Sequence, residues 1–128
     1  MRLLTNMRFL TMDDTFNKVE LFSKIDELRF LVKNWNGYYD DPIDLEFIKK
    51  AQDFVKNLSN DFLLIVPKVV PMSQGRLQLE WHHAGCSLEI EFGEQIVYLK
   101  CSGESCEEKE VKTQEEIESL IKWFNGEV

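Results

Sequence analysis

Long apolar runs are missing from this sequence. The longest, such as "FLLIV" at 62–66, fall far short of the ~20 residues that cross a bilayer as a helix. The opening "MRLLTNMRFL" has neither a continuous apolar stretch nor a small-residue cleavage site, so no signal peptide is expected and the cytoplasm is the default compartment. Met7 and Met12 are alternative starts, and residues 1–12 read as an edge strand or a flexible tail. Cysteine is scarce, with only Cys86, Cys101 and Cys106. An odd count without an export signal argues against a disulfide framework and for reduced thiols. The six glycines are scattered at turns and build no phosphate cradle. The only two histidines, His82 and His83, stand beside Cys86 in a turn, which gives no oriented nucleophile–base pair. No enzymatic activity and no cofactor are therefore expected.

Positive charge is also short, with 15 Lys and Arg against 23 Asp and Glu. The imbalance is uneven. Residues 1–86 carry 11 basic and 12 acidic groups, a net of −1, whereas residues 87–128 carry 4 and 11, a net of −7. A field of that sign repels phosphate backbones, so direct nucleic-acid binding is not expected. It suits a protein partner with a basic surface, and it also serves solubility.

What is present is helical and strand periodicity in blocks. Phe16, Val19, Leu21, Phe22, Ile25, Leu28, Leu31 and Val32 recur at steps of three and four behind the caps Asp13, Asp14 and Thr15, which predicts a helix over about 14–33. A second helix is predicted from Asp41 as N-cap and Pro42 as first residue, with Ile43, Phe47, Ile48, Ala51, Phe54, Val55 and Leu58 as its stripe and "LSND" as its end. "FLLIVPKVVP" is β-rich but interrupted by Pro67 and Pro71, so it reads as an edge or broken strand. "RLQLEWH" and "SLEIEF" alternate apolar with polar, and "IVYLKC" and "EKEVK" follow, all separated by short turns that require antiparallel pairing. Thr113 with Glu116 three residues on is a capping box for a last helix that Asn125-Gly126 should stop. The expected fold is α+β in one domain over 1–128: an antiparallel meander of four or five strands with two N-terminal helices and one C-terminal helix on one face.

Two blocks, "NWNGYYDDPIDLEFIKKAQDFVKNL" and "PKVVPMSQGRLQLEW", together cover most of residues 34–81, and the hairpin strand "SLEIEF" extends the match to about 92. They resemble a family of small bacterial and phage proteins of unknown function, marked by a W-(D/N)-G-Y…P-I block followed by P-x-V-x-P…G-x-(L/V)-x-L-E-W. Trp35, Gly37, Tyr38, Pro42 and Ile43 match the first block, Ala51 and Phe54 its helix, and Pro67, Pro71, Gly75, Leu79, Glu80 and Trp81 the second. Tyr39-Asp40 departs from the small residues usual there. The resemblance implies a compact α+β domain, often in mobile or defence-related gene contexts, and no established reaction.

Candidate site residues follow. Trp35, Tyr38 and Tyr39 form an aromatic corner on the Asn36-Gly37 turn. Such a corner either plugs the helix–helix junction or anchors a partner, and adjacent tyrosines cannot both point inward. The acidic run supplies Glu104, Glu107, Glu108, Glu110 and Glu115 as a docking surface, although acids near the start of a helix also serve its dipole. Glu80, in mid-sheet, has no second catalytic group fixed beside it. His82, His83, Cys86, Cys101 and Cys106 offer enough ligand atoms for zinc, but adjacent strand histidines point to opposite faces and C-x₄-C is not the usual knuckle spacing, so no metal site is expected. Cys101 and Cys106 flank a hairpin loop closely enough to pair. The leading reading is a non-catalytic acidic interaction module, an inhibitor or antitoxin-like partner that occupies a basic surface of an effector and involves no membrane. The alternatives are a small-molecule-binding or regulatory domain with a pocket near Trp35 and Trp81, and a homodimeric structural subunit joined through the apolar edge at 62–71.

Overall fold

A computed structural model describes residues 17–127. The predicted edge strand or tail at 1–12 and the predicted helix start at 13–16 lie outside the described residues. The protein is α+β, with three helices and a five-stranded antiparallel sheet. Helix α1 is followed from residue 17 to 26 and tightens into a 3₁₀ turn at Glu27–Phe30. Helix α2 is Leu45–Lys56. A second 3₁₀ turn, Asn60–Leu63, leads to β1 (Lys68–Pro71), β2 (Leu77–His83), β3 (Cys86–Phe92), β4 (Ile96–Ser102), β5 (Ser105–Val111) and helix α3 (Gln114–Glu127).

The strands lie in sequence order, each antiparallel to the next. Alternation along them separates two faces. Leu77, Leu79 and Trp81 of β2 and Leu88, Ile90 and Phe92 of β3 point to one face and are fully buried. They form one core with Leu21 and Ile25 of α1, Ile48, Ala51, Phe54 and Val55 of α2, and Ile117, Leu120, Ile121 and Phe124 of α3. The rings of Phe54 and Phe92 meet 6.0 Å apart. Trp81 is 1% exposed and its indole N–H donates to the Ile65 carbonyl at 3.0 Å, which satisfies the one polar atom it carries inward. The other face carries Gln78, Glu80, His82, Ser87, Glu89, Glu91, Val97, Leu99 and Glu108 in register.

Several boundaries differ from expectation, each for a local reason. The first helix ends at 30 rather than 33, because Asn34 and Asn36 bind the backbone that follows them and compete with helical bonds: Asn34 Oδ1 accepts from the Tyr39 N–H at 2.8 Å and Asn36 Oδ1 from the Tyr38 N–H at 2.9 Å. Its buried stripe is narrower than predicted, since Val19, Phe22 and Val32 are exposed. The second helix is capped by Asp44, whose carboxylate accepts from the Glu46 N–H at 2.8 Å, and not by Asp41. Residues 42–44 stay extended because the Asp44 N–H is taken by the Gly75 carbonyl at 2.9 Å. Gly75 is required there. Its φ is +75°, and a Cβ would come within 3.3 Å of both Asp44 N and the Pro42 carbonyl oxygen. Residues 62–66 are not a strand. Asn17 of α1 binds the carbonyl of Leu63 and Trp81 takes that of Ile65, so those groups are spent on tertiary bonds instead of a ladder. The capping box forms, with Thr113 Oγ1 accepting from the Glu116 N–H at 3.2 Å and Glu116 Oε1 from the Thr113 N–H at 2.9 Å. Asn125 and Gly126 remain helical. Among the described residues no helix is long and apolar enough to cross a membrane.

Candidate functional site

The β4–β5 hairpin carries most of the predicted acidic surface. Gly103-Glu104 forms its two-residue turn, with Gly103 at φ +62°. β5 is the sheet's outer strand, so both its faces are open until Val111 turns back into the core. Glu108 and Glu110 point to the open sheet face, Glu104 stands at the tip, and Glu115 lies in the first turn of α3 beyond the strand's other end. None of these four is held by an ion pair or side-chain hydrogen bond among the described residues. Together they run the length of the β5 edge.

Glu107 is different. Its side chain lies in the same row as Tyr98 and Lys109, accepts a hydrogen bond from the Tyr98 hydroxyl, and sits 3.4 Å from Lys109 Nζ. The tyrosine bond is the main reason its carboxyl is held below the usual range. Burial, and then the same bond to a carboxylate, pushes the Tyr98 hydroxyl up to about 12. Glu107 thus fastens β5 to β4 and is not a free docking charge. Glu116 is committed in the same way by the backbone N–H groups of Lys112 and Thr113, which lower its carboxyl.

The aromatic corner splits as its chemistry suggests. Trp35 packs against the core and donates its indole N–H to the Asp41 carbonyl at 2.9 Å. Tyr38 and Tyr39 are 82% and 75% exposed. Tyr39 has φ +63°, a left-handed conformation that costs a non-glycine residue roughly 1–2 kcal/mol. The loop is tied down by the two asparagine turns, by Asn36 Nδ2 donating to Asp40 Oδ2 at 2.6 Å, and by the Lys33–Asp41 ion pair at 2.9 Å.

These two surfaces do not come together as one site. The loop follows Leu28 and Leu31, which line a depression against β1, and leads into Asp44, which is bonded to the β1–β2 turn. β5 lies four strand spacings away, roughly 19 Å at ~4.8 Å each, and its hairpin tip is at the opposite end of the sheet. A meander in strict sequence order makes that separation unavoidable.

The predicted thiol and imidazole set does not converge either. Cys101 and Cys106 are opposite in register and joined by a disulfide, which corrects the expectation of reduced thiols. The physical reason is the two-residue turn, which brings their Cα atoms to 4.1 Å. Cys86 is free, packs on the core side, and meets Ser102 Oγ at 3.8 Å. His83 shares the side of Trp81, while His82 faces the open side beside Glu80 and Glu89. Glu89 was missed as a neighbour of His82. The signal for it was the Ala84-Gly85 turn, whose positive φ values of 49° and 84° make a two-residue hairpin and set Glu80 opposite Glu89. Trp35 and Trp81 each satisfy their N–H group internally, so neither presents a donor to a pocket. Compared with known proteins, the chain matches no family model, no curated protein and no solved structure.

Proposed function

We propose that this chain is a non-catalytic protein-interaction module that uses the β5 edge to occupy a basic surface on a partner. An antagonist or antitoxin-like role, read from the acidic surface and from the setting that the motif resemblance implies, is part of that proposal. The observation that carries it is the row Glu104, Glu108, Glu110 and Glu115, exposed and without ion pairs or side-chain hydrogen bonds among the described residues, beside acids that are internally bonded. Charges left unpaired on an outer strand cost little in water and become useful only against opposite charge. The exposed tyrosines form a second, separate contact surface, held by local bonds so that little loop ordering is needed on binding.

Affinity capture from the native host, quantified by mass spectrometry for the wild-type chain and for the variant E104K/E108K/E110K/E115K, tests this reading. A partner enriched by the wild type, lost from the variant and released by raised salt supports it. Capture that is equal for both chains, or insensitive to salt, contradicts it.

A further inference from the structure

We propose that Glu80, His82 and Glu89, on the open sheet face, form a binding site for a divalent transition-metal ion. The inference is independent of the β5 edge. Gln78, Glu80 and His82 alternate onto that face of β2, and Glu89 is the direct cross-strand partner of Glu80. One ligand atom from each of Glu80, His82 and Glu89 lies within 4.8 Å of the others.

Two carboxylates directly opposite each other in an antiparallel pair repel and destabilise it. Slippage cannot relieve this pair, because a one-residue shift would turn Leu79, Trp81, Leu88 and Ile90 out of the core. The arrangement therefore calls for a positive charge between the two groups. Lys68, the Cα partner of Glu80 on β1, forms no ion pair with it among the described residues.

The side chains are already oriented for such a charge. Gln78, only 8% exposed, donates from Nε2 to Glu80 Oε2 at 2.6 Å and to Glu89 Oε1 at 3.4 Å. Each carboxylate thus gives one oxygen to the buried amide and turns the other toward the imidazole. His82 Nε2 is 3.2 Å from Glu80 Oε1 and 4.0 Å from Glu89 Oε2. Ligands on a tetrahedral ion with bonds of ~2.0–2.2 Å stand roughly 3.3 Å apart, so from separations within 4.8 Å no more than about 1.5 Å of closure is needed. An amide that orients ligating carboxylates is the usual outer support of a metal site.

One imidazole nitrogen with two carboxylate oxygens favours zinc, cobalt, nickel or manganese over magnesium and calcium, which prefer all-oxygen shells. Three protein ligands leave a position open to water or to a donor from another molecule.

The test is titration of the chelator-stripped full chain with Co²⁺ and with Zn²⁺ above pH ~7, because protons compete with a metal for its ligands. Calorimetry and the visible absorption of cobalt read binding, and thermal unfolding confirms that each variant is folded. We expect one ion per chain and cobalt bands without a thiolate charge-transfer feature. E80Q, H82A and E89Q should each weaken binding at least about tenfold, and Q78L by about tenfold through the lost support. H83A, on the other side of the strand, should leave binding unchanged. No saturable binding, binding that survives H82A, equal loss in H83A, or a cobalt–thiolate band would each overturn the site. An imidazolium bridging the carboxylates with no metal uptake is included in the first of these. Partner capture by E80Q tests the interaction reading separately, since that reading expects capture to persist.

Discussion

The β2–β3 and β4–β5 hairpins are built alike, each with two seven-residue strands and a two-residue turn, yet they are held by different forces. In β2–β3 the inward row of Leu77, Leu79, Trp81, Leu88, Ile90 and Phe92 is covered by three helices. In β5 the equivalent row is Ser105, Glu107, Lys109 and Val111, and only Val111 is buried. The outer hairpin is fastened by a disulfide, by the Tyr98–Glu107 hydrogen bond and by Lys100 lying 4.6 Å over the Trp123 ring. Alternation alone does not bury a strand; a neighbour on that side does. The strand that the helices leave uncovered, β5, is the one free to carry unpaired charge.

The largest expected effect comes from the covered hairpin. Trp81→Ala should destabilise the protein by ~3–5 kcal/mol in denaturant unfolding, because it empties the core and strands the Ile65 carbonyl. A loss below ~1 kcal/mol would show that burial is not what holds β2–β3. Next, removing the disulfide through Cys101→Ser with Cys106→Ser should cost about 2 kcal/mol, as chain entropy gives for so short a loop. The loss should fall on local opening, read by faster amide exchange in β5 while the amides of β2 stay protected. Thr113→Ala should cost about 1 kcal/mol through the lost cap, with Glu116→Gln smaller.

The pH response sharpens the same contrast. The Tyr98 hydroxyl titrates at about 12 in the folded chain against an ordinary value near 10, so the fold holds its proton more tightly than the unfolded chain does. That contribution is complete below pH ~10 and is lost as pH rises toward 12; in Tyr98→Phe this alkaline component should vanish. Glu107 and Glu116 are depressed, so their contributions are present above the ordinary carboxylate range and fade as pH falls through their folded values. The smallest effect is expected at Tyr39. Tyr39→Gly should be neutral or stabilise by up to about 1 kcal/mol, since glycine removes the left-handed strain. A destabilisation beyond that would mean the tyrosine packs rather than waits for a partner.

Much of this was legible from residues alone. Period-two alternation in "RLQLEWH" and "SLEIEF" gave the covered and open faces, and Thr113 with Glu116 gave the start of the last helix. What the sequence hid were competitions decided at long range. Asp41 and Asp44 look alike as caps until the Gly75 carbonyl claims the Asp44 N–H. "FLLIV" looks like a strand until α1 and Trp81 take its carbonyls. At the site, Glu107 reads like Glu108, and only the diagonal partner Tyr98 sets it apart. Charge and turn chemistry named both candidate surfaces, but strand order was needed to show that they lie on opposite edges of the sheet.

The most direct test of the β5 docking surface is amide hydrogen exchange on the chain with and without its captured partner. Binding should slow exchange along residues 103–111 and into the first turn of α3, leaving β2 and β3 unchanged. Protection confined to residues 33–41, or none at the β5 edge, would contradict it.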